Sequence, residues 1–123
     1  MKELTKAEEQ VMQILWDLNK AFVKDIIEQM PDPKPAYTTV STIIRILETK
    51  GFIAHKSYGK THEYYPLIAM EDYRKFITGG LLHDYFGGSV SNLISHFTQK
   101  EEISSKELDE ILRIIHKTQK KKS

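Results

Sequence analysis

Between Thr38 and Arg45 the chain sets four small hydroxyls, Thr38, Thr39, Ser41 and Thr42, beside one guanidinium. Short hydroxyl side chains let a helix backbone come close to base-pair edges. There they donate and accept hydrogen bonds and touch thymine methyls, while an arginine reads a purine or a phosphate. The chemistry on offer is recognition rather than bond making. The next segment suits phosphates: from Lys50 to His62 it carries Lys50, Lys56 and Lys60 with His55 and His62, and no acidic residue. Lys56, Lys60 and His62 are therefore candidate backbone contacts, placed to position a duplex rather than to read it. The plainer alternatives are a solvated Thr-rich face and lysines that guard the edges of a hairpin.

Other chemistry finds little support. The five histidines include His83, His96 and His116 scattered through helical segments, and none stands in HxxxH or HExxH spacing. Cysteine is absent, which removes disulfides, thiol nucleophiles and cysteine metal sites. Neither a phosphate-cradling glycine loop nor a nucleophile elbow occurs. No catalytic residue, metal or cofactor is assigned. The 123 residues are 40% hydrophobic with a formal net charge of +1, so any basic surface must be local. No apolar run is long enough for a bilayer, and the opening Met-Lys-Glu-Leu-Thr lacks the core of a secretory signal. The expected location is the cytoplasm, with no membrane partner.

The elements that must hold the hydroxyl face follow from periodicity. Val40, Ile43, Ile44 and Leu47 recur at i, i+3, i+4, i+7, predicting a helix from Tyr37 that ends at Gly51, where a left-handed cap favours glycine. Upstream, Thr5 and Glu8 form a capping box that opens a first helix, with Val11, Met12, Leu15, Trp16 and Leu18 inward and an end near Asn19. A second helix fits Val23 to Met30 and is stopped by Pro31-Asp-Pro-Lys-Pro35. Lys34 in that turn reaches either a phosphate or only solvent. Downstream, two strand-like runs, Phe52–Tyr58 and Thr61–Leu67, flank Gly59-Lys60. Helix, helix, turn, helix and hairpin make a winged helix-turn-helix.

The second half reads as a helix from Ala69 to Phe86 loosened by Gly79-Gly80, a break at Gly87-Gly88, and a short helix from Ser89 to Thr98. A charged loop and a second capping box, Ser104 to Glu107, introduce a final helix with a basic tail. These fifty-odd residues are too few to enclose a core comfortably. Their apolar stripe, Leu93, Ile94, Phe97, Leu108, Ile111, Leu112 and Ile115, is expected to pack against a second copy. The expected fold is mainly α with a small β-hairpin: a winged-helix DNA-binding domain over 1–68 and a helical dimerisation region over 69–123. A homodimer would place two recognition helices on one face of double-stranded DNA carrying a palindromic operator.

Four stretches, in order, resemble the BlaI/MecI family of bacterial winged-helix repressors, the penicillinase repressor family, over essentially the whole chain. They are Leu4–Trp16, Thr39–Ile53, Tyr64-Tyr-Pro, and Phe86-Gly-Gly-Ser-Val with the downstream Phe97, acidic loop and last helix. The resemblance implies control of β-lactam resistance genes. It also implies release from DNA by a sensor-linked protease that cuts just before a phenylalanine, here between His96 and Phe97. Thr38 stands where the family often carries a basic residue in the first turn of its recognition helix, Ser41 where it often carries an arginine or glutamine, and His96 replaces its usual asparagine. The copper-responsive branch has a cysteine-rich site that this chain cannot build. The alternative function is a winged helix that binds protein instead of DNA.

Overall fold

The computed structural model describes residues 1–99 and 104–122, with side chains through Ile114. The helix α1, Lys6–Leu18, opens on the expected box: Thr5 Oγ1 accepts from the Glu8 N–H at 3.2 Å, and Glu8 Oε1 accepts from the Thr5 N–H at 2.9 Å. It closes at Asn19, whose φ of 69° is tolerated by asparagine better than by most residues. The helix α2, Val23–Glu28, is shorter than the expected span to Met30. Asp25 holds its start by accepting from the Phe22 N–H at 3.1 Å. Its end is held by Lys34, whose Nζ donates to the Glu28 and Met30 carbonyls at 3.2 and 2.8 Å. This corrects both readings of Lys34, because the ammonium satisfies carbonyls that a helix end leaves open.

The helix α3, Tyr37–Thr49, ends in a complete Schellman motif. Gly51, at φ +83°, donates to the Glu48 carbonyl at 3.1 Å, and Phe52 donates to the Leu47 carbonyl at 3.0 Å. The strands β1, Ile53–Tyr58, and β2, Thr61–Pro66, pair antiparallel from Ile53↔Pro66 to Tyr58↔Thr61. The two-residue turn Gly59-Lys60 uses a positive φ of 62° at the glycine. Ala21, between α1 and α2, pairs with Tyr64 through N–H···O bonds of 2.9 and 2.8 Å. The wing is thereby tied to the loop after the first helix.

Val11, Met12, Leu15, Ile26, Val40, Ile44, Leu47, Phe52 and Ile53 are fully buried in one core. Each large member contributes about 1.5–3 kcal/mol through burial before ordering costs. Glu8 is the one buried charged residue among those described, and Lys50 Nζ meets its two carboxylate oxygens at 2.7 and 3.0 Å. Burial raises the Glu8 pKa, but the hydrogen bonds from Lys50 and Thr5 and the attraction of the ammonium outweigh it. The carboxyl is held below its ordinary value. Lys50 thus belongs to the core's edge rather than to the basic run of the wing.

The chain divides into two compact units, Met1–Ile77 and Thr78–Ser123. The division falls inside the helix α4, Met70–Phe86. Tyr73 ties the start of α4 to the first unit: its hydroxyl accepts from the Leu4 N–H at 2.9 Å and its ring meets Phe52 edge-on at 5.7 Å between centroids. Trp16 adds a hydrogen bond of 2.8 Å from Nε1 to the Ile68 carbonyl. In the second unit α4 continues through Gly79-Gly80, which do not loosen it, and stops where Gly87 and Gly88 take φ of +59° and +79°. The helix α5, Val90–Gln99, starts under Ser89, whose Oγ accepts from the Asn92 N–H at 3.2 Å. The helix α6, Ser105–Lys122, starts under Ser104, which accepts from the Glu107 N–H at 3.2 Å. No helix among the described residues is long and apolar enough to cross a membrane.

Candidate nucleic-acid interface

The helical phase of α3 separates its faces as expected. Val40, Ile44 and Leu47 turn into the core, while Thr38, Thr39, Thr42 and Arg45 are exposed and Ser41 is half-buried. The core anchors this helix along its length, so its outer row is held on a rigid element. Thr42 spends its hydroxyl hydrogen on the helix itself, donating to the Thr38 carbonyl at 2.9 Å. What it turns outward is a methyl and an oxygen lone pair. Thr49 does the same two turns further along, toward the Arg45 carbonyl at 3.0 Å.

A cleft of about 750 Å³ opens between α3 and the wing. Tyr37, Ser41, Arg45 and Glu48 form its α3 wall, at a four- and three-residue spacing that repeats along one flank of the helix. His55, Lys60, Thr61, His62 and Tyr64 form the hairpin wall, and Phe22, Val23 and Lys24 close it at the start of α2. Three cations, Lys24, Arg45 and Lys60, face a single carboxylate, Glu48. That carboxylate is engaged by His55 Nδ1. The cleft is therefore net positive with aromatic walls. Burial pushes the Tyr64 phenol up, with the Glu48 carboxylate adding to it, so it stays a neutral wall.

The eight residues expected at DNA fall into three places. Ser41, Arg45, Lys60 and His62 come together in the cleft; Thr38, Thr39 and Thr42 lie on α3 outside it. Lys56 shares a cross-strand pair with Glu63, on the other side of the pleat from His55 and His62, and its ammonium lies 5.4 Å from the Tyr58 ring centre. Glu48, Tyr37 and Lys24 were not singled out by sequence, and His55 appeared there only within the basic run from Lys50 to His62. His55 and His62 could have been paired from the two-residue turn, since that turn fixes the register and sets Ser57 opposite His62 and His55 opposite Tyr64. Among the described residues no cluster of His, Asp or Glu could hold a metal.

In the second unit, Leu93, Ile94, Phe97, Leu108 and Ile111 are half-buried and Leu112 is 46% exposed. The side chain of Ile115 lies outside the described residues. Leu81, Tyr85, Phe86, Leu93, His96 and Phe97 line an apolar groove of about 440 Å³. His96 stands edge-on to both Phe86 and Phe97, each at 5.6 Å between ring centres.

A winged helix with an exposed hydroxyl-bearing third helix and a cationic cleft beside its wing defines a DNA-binding regulator. Comparison with known proteins agrees. The sequence matches the penicillinase repressor family over residues 4–117, and the chain belongs to that family of transcriptional repressors. It is 31% identical to the methicillin resistance regulatory protein MecI of Staphylococcus aureus (strain N315), over 94% of each chain. It is 24% identical to the penicillinase repressor of Bacillus licheniformis, over 97% of this chain and 95% of that one. Among solved structures it is similar to the DNA-binding domain of the repressor BlaI, at 26% identity and a TM-score of 0.51, over 59% of this chain and 94% of that one.

Proposed function

We propose that the chain represses transcription as a homodimer on a palindromic operator, in regulation of the β-lactam resistance type. Thr38, Thr39 and Thr42 meet base edges in the major groove. Ser41, Arg45, Lys60 and His62 grip the phosphate strand that enters the cleft, and Lys56 meets backbone on the outer side of the wing. The observation that supports this most is the single cleft joining recognition helix to wing with three cations and one engaged carboxylate.

The second copy is held by the faces of α5 and α6 that carry Leu93, Ile94, Phe97, Leu108, Ile111, Leu112 and Ile115. Repression ends when a sensor-linked protease cuts between His96 and Phe97. Both lie inside α5, so cutting requires local opening of that helix. A cut there severs α6 from the DNA-binding unit and removes the link that makes two half-site contacts act as one.

The test is a binding titration against duplex DNA flanking the protein's own gene, across a salt series. The expected result is a steep loss of affinity with salt, since Lys and Arg contacts release counterions. Arg45→Ala should cost about 1–3 kcal/mol of binding with an unchanged melting temperature. Salt-insensitive or absent binding would overturn the reading in favour of a protein-binding wing.

A further inference from the structure

The two imidazoles of the wing are arranged in a way that bulk positive charge does not require. His55 and His62 stand edge to face with ring centres 4.3 Å apart, and both line the cleft. His55 Nδ1 is directed at the Glu48 carboxylate, and His62 Nδ1 lies 3.0 Å from Ser57 Oγ.

These partners fix what each ring offers. A carboxylate only accepts, so His55 Nδ1 carries the proton in the neutral ring and Nε2 is left as a bare acceptor. A bare acceptor repels a phosphate oxygen. Taking up a proton turns Nε2 into a charged donor without disturbing the bond to Glu48. His62 differs, because the Ser57 hydroxyl can donate to Nδ1 and leave an Nε2–H donor on the neutral ring. His55 is thus the group whose offering to an anion reverses on protonation. Two adjacent imidazolium ions would repel one another, and Glu48 offsets one of those charges.

We propose that His55 and His62 form a proton-linked phosphate clamp, so that operator binding takes up a fraction of a proton and tightens as pH falls. The inference rests on the reading that the DNA backbone enters this cleft. The other titratable or charged groups facing the pair are Tyr37, Arg45 and Glu48 from α3, Lys24 from α2, and Lys60 and Tyr64 from the hairpin.

The experiment is fluorescence anisotropy of full-length protein with the operator duplex at fixed salt. Affinity should rise about fivefold from pH 8 to pH 6, as uptake of a fraction of a proton across that range requires. His55→Gln should flatten the profile at its weak end and His55→Lys at its tight end, because the lysine supplies the charge at every pH in the range. Thermal melts check that both exposed-site variants remain folded. A flat wild-type profile, or an unchanged slope in His55→Gln and in His62→Gln, overturns the clamp while leaving DNA binding in place. No binding at either pH overturns the DNA reading and the clamp with it.

Discussion

The two units of this chain have the same kind of amphipathic helices and reach opposite outcomes. In Met1–Ile77 the apolar stripes of α1, α2 and α3 converge with Phe52 and Ile53 until nine side chains lose all contact with water. Among the described residues from 78 to 114, none is buried, although α5 carries as regular a stripe as α3. The difference lies in what the stripes have to face. Three helices and a hairpin surround a volume, whereas the two helices after α4 present open faces. Leu81, Val90 and Leu112 each remain more than two-fifths exposed. A periodic stripe specifies that a face must be covered, and does not specify that the covering comes from the same molecule.

The largest expected effect separates the units outright. A chain ending at Ile77 should keep the melting transition of the first unit and lose roughly 10²–10⁴-fold in operator affinity, since each half-site contact then acts alone. Equal affinity of the short and full chains at the same salt would dissolve the distinction. Next in size, Leu47→Ala should remove about 2–5 kcal/mol of stability from the first unit by opening a cavity in its core. The equivalent truncation Leu112→Ala in the monomer should register far less. Introducing a charge instead, Leu112→Asp, should shift sedimentation from dimer to monomer while the first unit melts as before. An unchanged dimer would take α6 out of the interface.

The smallest effect sharpens the first unit's own edge. Glu8 is held below its ordinary value of 4.5, so the stability it contributes is present above that pH and is lost as pH falls through the lowered value. The melting temperature should therefore drop on acidification below 4.5, and Glu8→Gln should show a smaller drop from a lower neutral starting point. Parallel acid profiles for the two proteins would mean that the pair with Lys50 contributes nothing.

What could be read from sequence was local. The box of Thr5 and Glu8, the inward phase of Val40, Ile44 and Leu47, the glycine cap at Gly51 and the turn at Gly59-Lys60 each need only neighbours within a few residues. What could not be read was long in sequence and short in space. Ala21 pairs with Tyr64 through one residue with no period to announce it, and Glu8 meets Lys50 across two helices. Lys34 looked like a free cation because the helix carbonyls it caps are invisible to a residue pattern. Tyr73 carries no signal of its own in the pattern of a long helix, and its hydroxyl bond to Leu4 and its ring contact with Phe52 show to which unit the start of α4 belongs. In the cleft, Arg45 and His62 were legible as types, while Glu48 and His55 acquire meaning only once the helix is laid beside the wing.

The hydrogen bond from Trp16 to the Ile68 carbonyl has a spectroscopic consequence. This indole is the chain's one tryptophan, half-buried, 6.0 Å from the Tyr73 ring, and bonded to the segment that leads out of the wing. Its emission is a native reporter of the first unit that needs no label. Unfolding of the first unit should red-shift it as water replaces the carbonyl, whereas dissociation of the proposed dimer through α5 and α6 should leave its colour unchanged. Diluting the protein while following tryptophan emission and hydrodynamic size together would therefore record two separate transitions in one sample.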